Sequence, residues 1–177
     1  MKINMGGSLF EDFFSSESID VAKGIEIGIW LEKKSINFYN EKSKNMLNSA
    51  AANLIKFIAS EEVNHLEQLT ALKESLAKKK GWVSAEPLGK PQGPKLYEKG
   101  FEPKVDENSE DAGILLAAAR AEVEARDFYI KFSEKINETI GKKFFERLAE
   151  FEQSHYDLFD GILEASQIKV EGGELLQ

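Results

Sequence analysis

Two stretches of this chain match each other ninety residues apart, without a gap. Leu31-Glu32-Lys33-Lys34-Ser35-Ile36-Asn37-Phe38-Tyr39 lines up with Ala121-Glu122-Val123-Glu124-Ala125-Arg126-Asp127-Phe128-Tyr129. In the same register, Ala59-Ser60-Glu61-Glu62-Val63-Asn64-His65-Leu66 lines up with Ala149-Glu150-Phe151-Glu152-Gln153-Ser154-His155-Tyr156. A repeat at fixed offset means two copies of one supersecondary unit, neither able to bury its apolar face alone. His65 and His155 are the only histidines in the chain, and each follows a glutamate by three residues.

The distribution of proline says what the repeated unit is. Pro87, Pro91, Pro94 and Pro103 all fall between Gly81 and Asn108, together with Gly81, Gly89, Gly93 and Gly100. Outside that window, apolar residues recur at helical spacing. The pattern predicts helices from about Asp20 to Asn45, Ser49 to Lys80, Ser109 to Ile136 and Thr139 to Ser166. Ser18 or Asp20 can cap the first helix, Ser109 with Glu110 and Asp111 opens the third, and Gly81 behind Lys78-Lys79-Lys80 closes the second. Short links join the helices in pairs, so residues 19–80 and 109–166 each read as an antiparallel hairpin. The 81–108 connection, at about 3.3 Å per residue, can span about 90 Å against about 40 Å for one of these helices. All 177 residues then form one all-α domain, two helical hairpins joined by a long crossover, with 1–18 and 167–177 as tails.

Within the repeat, the acids sit where apolar residues belong. Helical positions three, four and seven residues away share a face. Glu32 is flanked this way by Ile25, Gly28, Ile29, Ile36 and Tyr39, and Glu62 by Ile55, Ile58, Ala59, His65, Leu66 and Leu69. Glu122 has Leu115, Ala118, Ala119, Ala125 and Tyr129, and Glu152 has Phe145, Leu148, Ala149, His155 and Phe159. A bare carboxylate in such a stripe costs several kcal/mol, so it needs a proton, a hydrogen bond or a cation. Depth agrees as well. Each pair lies symmetrically about its expected hairpin turn, near Leu47 and near Asn137, at about 20 Å along the helix. Two hairpins packed face to face bring four carboxylates and two imidazoles together at mid-bundle.

Composition narrows what such a site can hold. The chain has no cysteine, which removes disulfides, thiolate zinc sites, iron–sulfur clusters and cysteine nucleophiles. Six oxygen and nitrogen donors suit iron or manganese better than four-coordinate structural zinc. Four carboxylates match the charge of two divalent ions, and a carboxylate can bridge both. A net charge of −8 argues against a phosphate-backbone binder. With no run of about 18 apolar residues, no membrane span is expected. Without a signal-like segment, a cytoplasmic protein is expected.

One glutamate from each of two helices plus Glu-x-x-His from each of the other two is the ligand pattern of ferritin-like di-iron bundles. On these motifs the chain resembles the rubrerythrin-like branch of that family. The resemblance implies a ferritin-like four-helix bundle with Glu32, Glu62, His65, Glu122, Glu152 and His155 as ligands of two iron ions, with manganese as the other choice. Glu62 and Glu152 would bridge, and Glu32 and Glu122 would be terminal. Tyr39 and Tyr129 would support the ligand carboxylates through hydrogen bonds. Glu61, beside a ligand, would orient a histidine of the opposite hairpin, although its repeat mate is Phe151. The implied activity is reduction of hydrogen peroxide or dioxygen with electrons from an external donor protein, in a homo-oligomer of two or more chains. The alternatives are a ferroxidase or iron-storage protein, and a structural module stapled by its metal.

Departures from the pattern are equally specific. Ala125 stands where rubrerythrins carry a second, exchangeable glutamate, and a rubredoxin-like Fe(Cys)4 unit is impossible without cysteine. Val63 occupies the place of the haem-ligating methionine of bacterioferritins. Other features read more simply. Gly24 and Gly28 suit close helix packing, Lys78-Lys79-Lys80 with Trp82 reads as a solvated helix end, and the 89–95 segment lacks the spacing of a phosphate loop.

Overall fold

The computed structural model describes residues 10, 13–15, 19–91 and 104–169, and their regular structure is entirely helical. Helix α1 spans Val21–Lys42 and α2 spans Ser49–Ala77; a single 3-10 turn follows at Glu86–Leu88. Helix α3 spans Glu110–Lys135 and α4 spans Thr139–Ala165. The helices pack as two antiparallel hairpins, α1 with α2 and α3 with α4, facing each other across one core. The expected tails, apart from residues 10, 13–15 and 167–169, and residues 92–103 of the expected crossover lie outside the described residues.

Local chemistry sets most of the boundaries. Asp20 caps α1, its side chain accepting from Lys23 N, while Ser18, the other expected cap, lies outside the described residues. Asn48 caps α2 by accepting from Ala50 N and Ala51 N, and Ser109 caps α3 by accepting from Ala112 N. The end of α2 differs from expectation. Lys79, not Gly81, takes the left-handed position, with φ of 56°. Lys80 N then reaches Ser75 O and Lys79 N reaches Leu76 O, which satisfies two carbonyls that the helix end would leave open. Gly81 lies two residues later, also at positive φ, and its carbonyl accepts from Ser75 Oγ. A side chain at a left-handed position is sterically costly, so Lys79→Gly should stabilise the protein by about 0.5–1 kcal/mol, read from the urea midpoint. A lower midpoint would show that the lysine side chain holds the turn.

Long-range contacts fix the hairpins at both ends of the bundle. At one end, the buried carboxylate of Asp111 accepts from Leu47 N (3.2 Å) and Asn48 N (2.7 Å), tying the α1–α2 turn to the start of α3. Asn48 Nδ2 donates to Lys104 O, and Val105 N donates to Ser166 Oγ beyond α4. At the other end, Trp82 lies against Gly141, where an added Cβ would come within 2.5 Å of its ring, and Arg147 donates to Gly89 O. The connection therefore leaves α2 at one end of the bundle and enters α3 at the other. Asp111→Ala would strip two backbone N–H groups of their acceptor and should cost about 2–3 kcal/mol. Asp111→Asn, which keeps one acceptor oxygen, should cost less in the same denaturation experiment.

The apolar core is divided in two. One cluster, near the α3–α4 turn, is rich in aromatics: Phe128, Phe132, Phe144, Phe145 and Phe151 pack with Ile25, Leu69 and Leu72. Phe13 is buried in it, 6.3 Å from the Phe128 ring and 6.0 Å from the Phe132 ring, so part of the expected N-terminal tail belongs to the core. The second cluster, near the α1–α2 turn, joins Leu54, Ile55, Ile58, Leu115, Phe159 and Ile162. Gly24 and Gly28 allow the hairpins to approach. A Cβ at Gly24 would fall 2.2 Å from Phe132, and one at Gly28 would press on Tyr129 at 3.2 Å. The acidic residues of the repeat occupy the layer between the two clusters.

Candidate metal centre

Each helix contributes to that layer. Glu32 comes from α1, Glu62 and His65 from α2, Glu122 from α3, and Glu152 and His155 from α4; none is more than 2% exposed. Because glutamate and histidine three residues apart share a helix face, α2 and α4 each aim two donors inward. His65 Nδ1 lies 2.9 Å from Glu62 Oε2, 3.5 Å from Glu152 Oε1 and 3.9 Å from Glu32 Oε2. His155 Nδ1 lies 3.3 Å from Glu62 Oε1, 3.6 Å from Glu122 Oε2 and 3.7 Å from Glu152 Oε2. Both imidazoles thus present the same nitrogen to the centre.

The donor atoms form two overlapping groups. Glu32, Glu62, His65 and Glu152 make one, and Glu62, Glu122, Glu152 and His155 the other, with ligand atoms within 4.8 Å of one another in each. Glu62 and Glu152 belong to both. Among the described residues no further carboxylate or imidazole enters either group. Glu62 Oε1, Glu122 Oε2, Glu152 Oε1 and His155 Nδ1 are buried with no hydrogen-bond partner. Unpartnered buried donors and acceptors are costly, and here carboxylate oxygens converge with an imidazole nitrogen around a shared space. Two divalent cations fit that donor set in number, charge and hardness.

Electrostatics carry the same signature of crowded buried charge. Burial, then the charges of Glu62 and Glu152, push Glu32 well above the ordinary carboxylate range. Burial and the Glu62 charge do the same to Glu152. Burial would raise Glu62 too, but the neighbouring His155 and His65 outweigh it and hold that carboxyl below the ordinary range. For His155 burial opposes the charge, yet the Glu62 charge, with the nearby Glu122 and Glu152 carboxylates and the hydrogen bond to Glu61, raises it well above the usual imidazole range. Carboxylates crowded in this way favour a positive partner, whether protons or cations.

Surrounding residues hold Glu32 and Glu122 in place. Tyr39 donates a short hydrogen bond to Glu122 Oε1, and Tyr129 donates one to Glu32 Oε1. Each bond runs from one hairpin to the other, so the tyrosines also lock the two halves together. Burial, then the adjacent Glu122 or Glu32 charge, raises both phenols well above their ordinary value, and each keeps its proton as a donor. Glu61 reaches His155, its Oε2 lying 3.1 Å from Nε2, as the opposite-hairpin expectation required. Phe151, its repeat mate, stands edge-on to His65 with ring centroids 4.8 Å apart. That neighbour was not read from the sequence, where Phe151 was only a mismatch in the repeat. Ala125 lies within the aromatic cluster, so the exchangeable glutamate of rubrerythrins has an apolar substitute here.

The Rubrerythrin family model matches residues 10–73 and 113–174, more than half of the chain. The chain belongs to the rubrerythrin family. Both matched segments carry one copy of the repeat, and together they contain all six inward-facing donors and both tyrosines. The bundle is accordingly ferritin-like, and its buried glutamate and histidine groups can hold metal. No curated protein and no solved structure matched the chain. No helix among the described residues is long and apolar enough to cross a membrane.

Proposed function

We propose that this chain is a non-haem di-iron oxidoreductase of rubrerythrin-like type, which reduces hydrogen peroxide or dioxygen with electrons from an external donor protein. The observation that carries the reading is the pair of buried donor groups sharing Glu62 and Glu152, in a member of this family. Glu32 and His65 would hold one ion, Glu122 and His155 the other, and Glu62 with Glu152 would bridge them. Bound there, two ferrous ions would supply the two electrons that, with two protons, convert one hydrogen peroxide to two waters.

The residues of the chain do the rest. The tyrosines keep Glu32 and Glu122 oriented through hydrogen bonds, which preserves the terminal sites as charge changes between them. The apolar clusters on both sides exclude water, so carboxylate charge acts in a low-dielectric layer. Re-reduction needs another molecule, since a chain with no cysteine carries no sulfur-ligated relay of its own. We further propose that the protein works as a homo-oligomer in the cytoplasm.

Anaerobic loading with ferrous ion, followed by a peroxide pulse, tests the reading. The expected result is one peroxide consumed per two ferrous ions, with recovery on adding a reductant over several cycles. Slow reaction with peroxide, fast reaction with dioxygen and retention of many ferric ions per chain would replace it with the ferroxidase or storage reading.

A further inference from the structure

The repeat is broken at one place that touches the centre. Positions 61 and 151 are mates under the ninety-residue offset, yet one holds glutamate and the other phenylalanine. Each stands behind the histidine of the opposite hairpin. Glu61 Oε2 faces His155 Nε2 at 3.1 Å, and its side chain is 22% exposed, bridging the buried ring to the surface. Phe151 presents an apolar ring to His65, whose buried Nε2 has no hydrogen-bond partner. The two halves, matched in their glutamates, histidines and tyrosines, therefore differ in what supports their imidazoles.

We propose that Glu61 and Phe151 make the two metal positions unequal: the Glu122–His155 position is the tight one and the Glu32–His65 position the weak, exchangeable one. This rests on the di-metal reading above. A neutral imidazole that binds metal through Nδ1 must carry its proton on Nε2. For His155 that proton has an acceptor in Glu61, which fixes the tautomer, orients the ring and makes Nδ1 a better donor. For His65 that proton has no acceptor, with the Phe151 ring packed beside the imidazole, in a buried place where an unpaired N–H is costly. Binding at His65 gains no hydrogen bond behind the ring. Binding at His155 keeps its rear hydrogen bond.

Titration of the chelator-treated full chain with cobalt(II) tests this, following the visible absorption of the bound ion against a competing chelator, at one fixed pH of about 8 so that proton competition is alike for every variant. Wild-type protein should bind two ions in two resolved steps, at least about tenfold apart. His155→Ala should remove the tight step and His65→Ala the weak one. Phe151→Glu should tighten the weak step by about tenfold to a hundredfold, and Glu61→Gln should weaken the tight step in the same range. Two equal steps in wild type, or both support variants leaving each affinity unchanged, would overturn the proposal while sparing the di-metal reading. Failure of the wild-type protein to bind any cobalt would overturn both.

Discussion

Glu62→Ala is expected to abolish binding of both metal ions, whereas Glu32→Ala is expected to spare one. The difference follows from membership: Glu62 belongs to both donor groups and Glu32 to one. Removing Glu62 also removes the carboxylate nearest to Nδ1 of each histidine, at 2.9 Å in His65 and 3.3 Å in His155. The effect on stability should be large. An ion present at about a thousandfold its dissociation constant contributes about 4 kcal/mol, so two such ions contribute about 8 kcal/mol. The Glu62→Ala protein should show no rise in melting temperature when metal is added, while Glu32→Ala, which loses the weaker position, should keep more than half of the wild-type rise. Elemental analysis after desalting gives the stoichiometry directly. Equal metal content in the two variants would refute the shared role of Glu62, even if both bind less than wild type.

Most of this centre was legible in the sequence because helix geometry turns residue spacing into direction. A histidine three residues after a glutamate must share its face, and an uninterrupted ninety-residue offset puts both pairs in equivalent surroundings. Equal distance of Glu32 and Glu62 from a hairpin turn then brings them level. What escaped the sequence depends on contacts between distant segments. Asp111 reads as an ordinary acidic first-turn residue, yet its carboxylate holds the backbone at Leu47 and Asn48, more than sixty positions away. Phe13 reads as part of a tail, and only the ring surfaces of Phe128 and Phe132 explain why it is buried. The end of α2 escaped for a different reason. Gly81 is the residue best suited to left-handed backbone, but the hydrogen bonds to Ser75 and Leu76 form earlier, with Lys79 bearing the strain. Residue type shows what a position tolerates, while the completed bond network decides where the turn falls.

The stability that metal confers should shrink as the pH is lowered from about 7.5 to about 5.5, because acid acts oppositely on the two forms of the protein. In the metal-free form, Glu32 and Glu152 have raised pKa values. Their contribution to stability is fully present below the unfolded carboxylate value of about 4.3 and is lost as pH rises through their folded values. His155 is also raised, so its contribution is present below about 6.5 and lost as pH rises through its own folded value. Glu62 has the opposite sign: its pKa is lowered, and its contribution is lost only on acidification below the ordinary carboxylate range. Over the chosen window Glu62 is therefore silent, and the three raised groups make the metal-free protein more stable as pH falls. The metal-bound protein responds in the other sense, since protons compete with metal for the same carboxylates and imidazoles. Melting curves with excess chelator and with saturating divalent metal should converge toward the acid side. Glu152→Gln, which cannot ionise, should flatten the slope of the metal-free curve. A metal-free melting temperature that falls steadily across this window would mean that the buried carboxylates are not held protonated, and that some group other than bound protons balances the charge of the centre.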